Sequence, residues 1–378
     1  MKILVHRCWD ALFPIPTVSA SEAFLYRVLL AAALFWFFPQ SSNIHMQPEP
    51  VGLAHWFDLT WLSGPGVFAI YRAVFFGLLL LYAAGFALPL TVSLMTLAHI
   101  LPATLHNSQG FTFHGNQIMS LTLVGLSVMT LYFAVTNGLG LLRRPSVSRL
   151  LLLPALAFVE ATLLWNCEKS FTLGAICSNL FPGAGAFVVG WGNMIVFILA
   201  FIALAAVPAA FAGGWKEEGS PSPLLRSWSL VTAQFVIASA YLISVFSKMI
   251  RSDGQWLVNS YYVALDFVKT LRQNYYSGLD PQYAIDPPAY IVMMMEHPFI
   301  TAVFFDFGVA LEAFMIFAVG YRKWTFAFGA SLIFMHVTIA KVMNLFFPTH
   351  VAMLMIFWVA PLLLARLSGG ATGKARAS

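Results

Sequence analysis

The chain has 378 residues, 60% of them hydrophobic and only 9% charged, with 20 basic and 15 acidic residues for a formal net charge of +5. A soluble fold draws about 25% of its residues from the charged types to cover its surface, so this composition excludes soluble enzymes, nucleic-acid-binding domains and disordered chains and describes an integral membrane protein. The basic residues form no runs, and three cysteines without a CxxC pair make neither a disulfide scaffold nor a zinc cluster.

A membrane helix needs about 20 mostly apolar residues. Ten windows nearly free of Lys, Arg, Asp and Glu meet that need once overlong stretches are split at turn signals: residues 22–38, 67–84, 86–104, 116–139, 148–165, 184–212, 226–249, 298–320, 324–343 and 345–365. The first carries Glu22 and Arg27 near its start, and no small-residue cleavage site follows LFWFFPQSSN, so it reads as a retained helix and not as a signal peptide. The expected fold is all-α: a polytopic bundle of about ten helices, with a cytoplasmic segment 1–21, one transmembrane domain 22–365 and a cytoplasmic tail 366–378.

Cytoplasmic segments of membrane proteins carry the Lys and Arg excess. With the N-terminus inside, the inner segments hold twelve basic residues (Lys2, Arg7, Arg143, Arg144, Arg149, Lys216, Arg226, Arg322, Lys323, Arg366, Lys374 and Arg376) and the outer ones four (Lys169, Arg251, Lys269 and Arg272). Nine passes would invert half the chain and destroy that segregation. Both termini are then cytoplasmic, as in a bacterial inner membrane. Cys167 and Cys177 share an outer loop, where a disulfide between them would persist, against the alternative that both are small apolar fillers. The longest outer connection is 250–297. In it Trp256, Leu257, Tyr261, Leu265, Val268, Leu271 and Tyr275 recur at helical spacing opposite Asn259, Asp266, Lys269, Arg272 and Asn274, the pattern of an amphipathic helix in the membrane interface.

In so apolar a chain the informative residue is the ionisable one, which costs several kcal/mol in hydrocarbon. Those inside windows are Arg27, Arg72, His99, Glu160, Gln234 as a polar companion, Lys248, Asp306, Glu312, His336 and Lys341. Lys248, Asp306, Lys341 and the two histidines of the loop HNSQGFTFHG, His106 and His114, all fall toward the outer face and can converge at one depth. A lysine in an apolar, partly dehydrated site loses its charge more readily than in water and can then accept a proton, which a nearby histidine can shuttle. Against this stand plainer readings: Lys248 and Arg251 snorkel to the interface, His336 bonds across helices to Glu312, and Arg27 and Arg72 pair with Glu160 or Glu312 as structural glue. No phosphate loop, GxSxG, HExxH or haem-attachment motif occurs, and PGAGAFVVGWG at 182–192 suits close helix packing.

Four stretches in order resemble the HTTM family, the membrane-domain group that includes the vitamin K-dependent gamma-carboxylase. They are EAFLYRVLLAAALFWFF (22–38), HNSQGFTFHGNQIMSLTL (106–123), AYLISVFSKMIRSDGQW (240–256) and LEAFMIFAVGYRKWTFAFGASLIFMHVTIAKVMNLFFP (311–348). The resemblance implies a helical membrane domain and carboxylase-like, carbon–carbon bond-forming chemistry using a reduced quinone of the vitamin K kind. It implies Lys248 as the base toward that quinone, His114 or His106 as its assistant, and Glu312, His336, Trp256 and Tyr241 as residues that hold the cofactor. Three features depart from the family: eight residues separate Lys248 from Trp256, the expected Asn-His-aromatic-Leu is absent around both histidines, and the carboxylase's large lumenal domain has no counterpart here.

Two other classes compete: a non-catalytic subunit or scaffold that holds a membrane or extracytoplasmic protein partner or a lipid through 250–297, and a proton-coupled transporter using Asp306, Glu312 and His336. None of the three implies nucleic acid. The topology is checked independently of function: a reporter that is active only in the cytoplasm should be active when fused to either terminus, and silence at one end only would mean an odd number of passes.

Overall fold

In the computed structural model the described residues are 14–38, 59–107, 114–136, 222–279, 286–343 and 347–373. All regular structure among them is helical. Seven helical stretches there are long and apolar enough to cross a membrane: Ala20–Phe37, Pro65–Ala84, Gln117–Val135, Pro223–Arg251, Pro298–Ala318, Arg322–Lys341 and Pro348–Arg366, with Leu88–Pro102 a shorter apolar helix. These account for eight of the ten expected passes; windows 148–165 and 184–212, with Glu160 and both Cys167 and Cys177, lie outside the described residues. The chain is an all-helical integral membrane protein.

The chain divides into two compact units, Ile15–Val236 with Ala360–Ser378, and Met1–Pro14 with Ile237–Val359. The first contains α1 (Ala20–Phe37), α2 (Pro65–Ala84), α3 (Leu88–Asn107), α4 (His114–Thr136), the first half of α5 (Pro223–Arg251) and, near the C-terminus, α12 (Ala360–Gly373). Helix α12 runs past the expected boundary at residue 365 and packs on α1. Glu22, an unwelcome charge by composition, closes a capping box at the start of α1: its carboxylate accepts from the Ser19 N–H at 2.8 Å while the Ser19 hydroxyl accepts from the Glu22 N–H at 3.2 Å. Two backbone donors that a helix start leaves orphaned are thereby met.

Arg27 bonds to the end of α2. Its Nε donates to the Ala83 carbonyl at 3.3 Å, and its guanidinium lies over Gly85, which ends α2 with φ of 75°. A cation at a helix C-terminus meets both the unpaired carbonyls and the negative end of the helix dipole. Arg72 likewise sits over the Phe76 ring at 5.5 Å.

Helices α3 and α4 form an antiparallel hairpin joined by a polar seam. Ser93 and Ser127 hydroxyls are 2.8 Å apart, Thr96 donates to the Leu123 carbonyl at 3.2 Å, and His99 Nδ1 meets the Ser120 hydroxyl at 3.1 Å. Residues 93, 96 and 99 recur every three positions, so they form one helix face, and their partners 127, 123 and 120 fall by four and three positions along α4. His99 is thus a structural histidine. The same register brings the backbone positions of His106 and His114 to one level at the end of the hairpin where the chain passes from α3 to α4.

The second unit contains the rest of α5, α6 (Trp256–Asn259), a 3-10 turn Ser260–Tyr262, α7 (Val263–Gly278), α8 (Ala289–Glu296), α9 (Pro298–Phe314), α10 (Arg322–Met343), α11 (Pro348–Leu354) and a π turn, Met355–Val359. The connection 250–297 is helical over most of its described length. Its amphipathic helix exists, but with a different inner face: Ser260, Ala264 and Phe267 are buried, while Leu257 and Leu265 are 49% and 46% exposed. Small residues and one ring let the helix approach α9 closely, and the bulkier apolar side chains are left on the other side. Helix α8, AYIVMMME after two prolines, is a further helical element of this connection.

Gly329 on α10 marks a close helix–helix approach in this unit. A Cβ there would stand 2.7 Å from the Cβ of Trp358, itself fully buried in the π turn. Small residues at such crossings let helices pack without a hydrophobic driving force. Gly329→Ala should therefore lower stability by about 1–3 kcal/mol through overpacking, read as a lower melting temperature in detergent. Gly77→Ala, whose Cβ would meet nothing within 4 Å, should leave it unchanged.

Candidate functional site

The second unit gathers five polar or ionisable side chains from four helices. Tyr241 and Lys248 are seven residues apart on α5, two helical turns, and so share a face. Lys248 forms an ion pair with Glu312 of α9; the lysine side chain is 26% exposed and the carboxylate 9%. The Tyr241 hydroxyl and His336 Nε2 of α10 are 2.6 Å apart in a buried hydrogen bond. His350, placed in the first turn of α11 by Pro348, stands with its ring centroid 5.4 Å from that of His336 and 6.1 Å from that of Tyr241. The Phe347 ring lies 5.5 Å from each imidazole.

Lys248 is one turn from the end of α5, where snorkelling to the headgroups is the ordinary outcome. Its ammonium instead turns inward to Glu312, which lies fourteen residues into α9 and so about 21 Å along that helix from its start. The expected bond from His336 to Glu312 is absent because Lys248 occupies the carboxylate and Tyr241 occupies the imidazole. The same occupancy answers the expectation that Glu312 serves an arginine. Glu312 is close enough to Tyr241, and both Lys248 and His350 to His336, for their charges to act on one another. The cluster is thus one electrostatic system, able to hold a proton on nitrogen or oxygen at several neighbouring points.

One valence in it is unmet. His336 is buried, with 7% of its surface exposed, and among the described residues its Nδ1 has no hydrogen-bond partner. Whichever tautomer it adopts, either a ring N–H or a ring lone pair faces apolar surroundings, a cost of about 1–3 kcal/mol that is retained where a ligand or a proton uses the atom.

The other sequence candidates fall elsewhere. Trp256 opens α6, and its buried indole N–H finds no acceptor among the described residues; Asp306 on α9 has a buried Oδ1 in the same condition. His106 and His114 are placed by their backbones in the first unit, and their side chains lie outside the described residues. His350 and Phe347 were missed by the sequence reading. The signal was present in FFPTH, since a proline starting the helix after that of His336 sets residue 350 in its first turn.

The fold defines a class: an integral membrane protein, its helices in contact with the lipid bilayer, that keeps a cluster of ionisable side chains between its spans. Compared with known proteins, the chain matches no family model, no curated protein and no solved structure.

The ion pair has a measurable signature. Removing one partner strands the other, so Glu312→Gln should cost about 3 kcal/mol, whereas Lys248→Met with Glu312→Leu should recover most of that loss. Thermal unfolding of the single and double variants in detergent measures both; a double variant as unstable as the single would mean that the charges do not depend on each other.

Proposed function

We propose that the chain is a membrane enzyme of the HTTM kind, similar in its working parts to the membrane domain of the vitamin K-dependent gamma-carboxylase, with a reduced quinone-like lipid as its cofactor. Both termini lie in the cytoplasm of a bacterial inner membrane in this reading. The observation that carries it is the inward-turned Lys248 ammonium on Glu312, two helical turns along α5 from the Tyr241–His336 bond.

The residues present fit the head of such a lipid: His336 Nδ1 supplies an unmet polar contact, and Tyr241, Phe347 and His350 supply ring faces around it. When bound, a reduced quinone supplies an ionisable ring hydroxyl whose deprotonation begins its oxidation. In the chain itself, Glu312 can take the proton of Lys248, because in a low-dielectric site the charge-separated and neutral forms of a close pair are brought near in energy. The resulting neutral amine is a base. Tyr241 orients the His336 imidazole by its hydrogen bond at Nε2.

A second reading, proton-coupled transport, draws support from Asp306, whose buried Oδ1 is left for another partner. It predicts pH-dependent uptake into proteoliposomes. The enzyme reading is tested by two measurements on the purified full chain. Lipids retained after gentle detergent extraction should include a quinone by mass spectrometry. Lys248→Ala should abolish oxidation of added reduced quinone without lowering membrane yield. Wild-type turnover by that variant removes the proposal, and a stoichiometric protein partner with no quinone favours a scaffold.

A further inference from the structure

Helix α7 lines up Leu265, Val268, Lys269, Arg272, Gln273 and Tyr276 at spacings of three and four residues, and these six border an open recess of about 650 Å3. Lys269 and Arg272 are exposed and one turn apart, and among the described residues neither is paired with a carboxylate. Tyr276 and Leu265, bulky and exposed at 65% and 46%, flank them.

Two facts set the depth of this stripe. The spans Pro223–Arg251 and Pro298–Ala318 are joined by helices too short to cross, so the end of the first and the start of the second share a membrane face, and α7 lies at that face. The opposite side of the α6–α7 segment is held against the first two turns of α9: Ser260 donates to the Ala302 carbonyl at 3.4 Å, and the Phe267 ring lies 5.8 Å from that of Phe305. Residues 302 and 305 are within about 10 Å of the start of that helix, which is the depth of lipid headgroups and not of the hydrocarbon centre.

We propose that the stripe binds an anionic phospholipid, with Lys269 and Arg272 holding the headgroup phosphate and Leu265, Val268 and Tyr276 resting on the upper acyl chain. A guanidinium and an ammonium one turn apart match a phosphate that brings net negative charge, and neighbouring apolar and aromatic groups suit the lower side of the interface. Charge complementarity selects this occupant: a zwitterionic lipid brings its own cation toward the two basic groups, and a free anion would leave Leu265 and Tyr276 without apolar company.

The test uses the purified full chain and native mass spectrometry with phosphatidylglycerol and phosphatidylcholine as probes. Wild-type protein should retain phosphatidylglycerol in preference to phosphatidylcholine. Lys269→Gln with Arg272→Gln should weaken phosphatidylglycerol retention by about 30-fold, roughly five-fold per basic residue near an anionic surface, with an unchanged melting temperature since both side chains are exposed. Lys323→Gln, beyond the far end of α9, should change nothing. Equal retention of both lipids, retention of neither, undiminished binding by the double variant, or displacement by millimolar inorganic phosphate would each overturn the assignment.

Discussion

In hydrocarbon no water stands ready to satisfy a polar atom, so each must find its partner inside the protein or be abandoned at a cost of kcal/mol. The described structure follows from that constraint. Glu22 spends its charge on the first turn of α1, Arg27 on the last turn of α2, and the Ser, Thr and His of α3 on their counterparts across the hairpin. Lys248 and Glu312 neutralise each other between spans. Most intramembrane polar residues are therefore spent on the fold itself, and this separates His336, with one nitrogen left over, from His99, whose Nδ1 is taken by Ser120.

Packing between helices is organised by the smallest residues and not by the largest. Gly329 admits Trp358 to direct contact with the α10 backbone, and Gly125 does the same for Val236. With lipid tails as apolar as leucine, close approach and its dispersion energy replace the hydrophobic drive that holds a soluble core. The π turn at Met355–Val359 widens the helix where Trp358 must fit. That rigid packing holds α10 and with it His336, whose hydrogen bond to Tyr241 tolerates little displacement.

The segment between α5 and α9 divides its two faces between two kinds of surroundings. Ser260, Ala264 and Phe267 belong to the protein, and Leu265, Lys269, Arg272 and Tyr276 belong to whatever lies outside it. A helix with one face on its own span and a basic, aromatic face outward lies along a membrane surface and does not cross it.

Residue chemistry and period were enough to determine the membrane class, the helical fold, the place of most spans and the roster of polar residues with roles, because hydropathy over 20 residues and the cost of a buried charge are local properties. Lys248, Glu312, His336 and Tyr241 could be singled out one by one. Their pairing could not, since a carboxylate in hydrocarbon accepts any cation that reaches it, and reach is set by how α5, α9 and α10 are packed. Tertiary structure alone decided that Glu312 takes Lys248 and not His336 or an arginine, that His350 joins the cluster, and that the amphipathic helix buries its serine, alanine and phenylalanine in place of its leucines. Partner choice depends on distances of a few ångströms between helices far apart in the chain, and no sequence period encodes them.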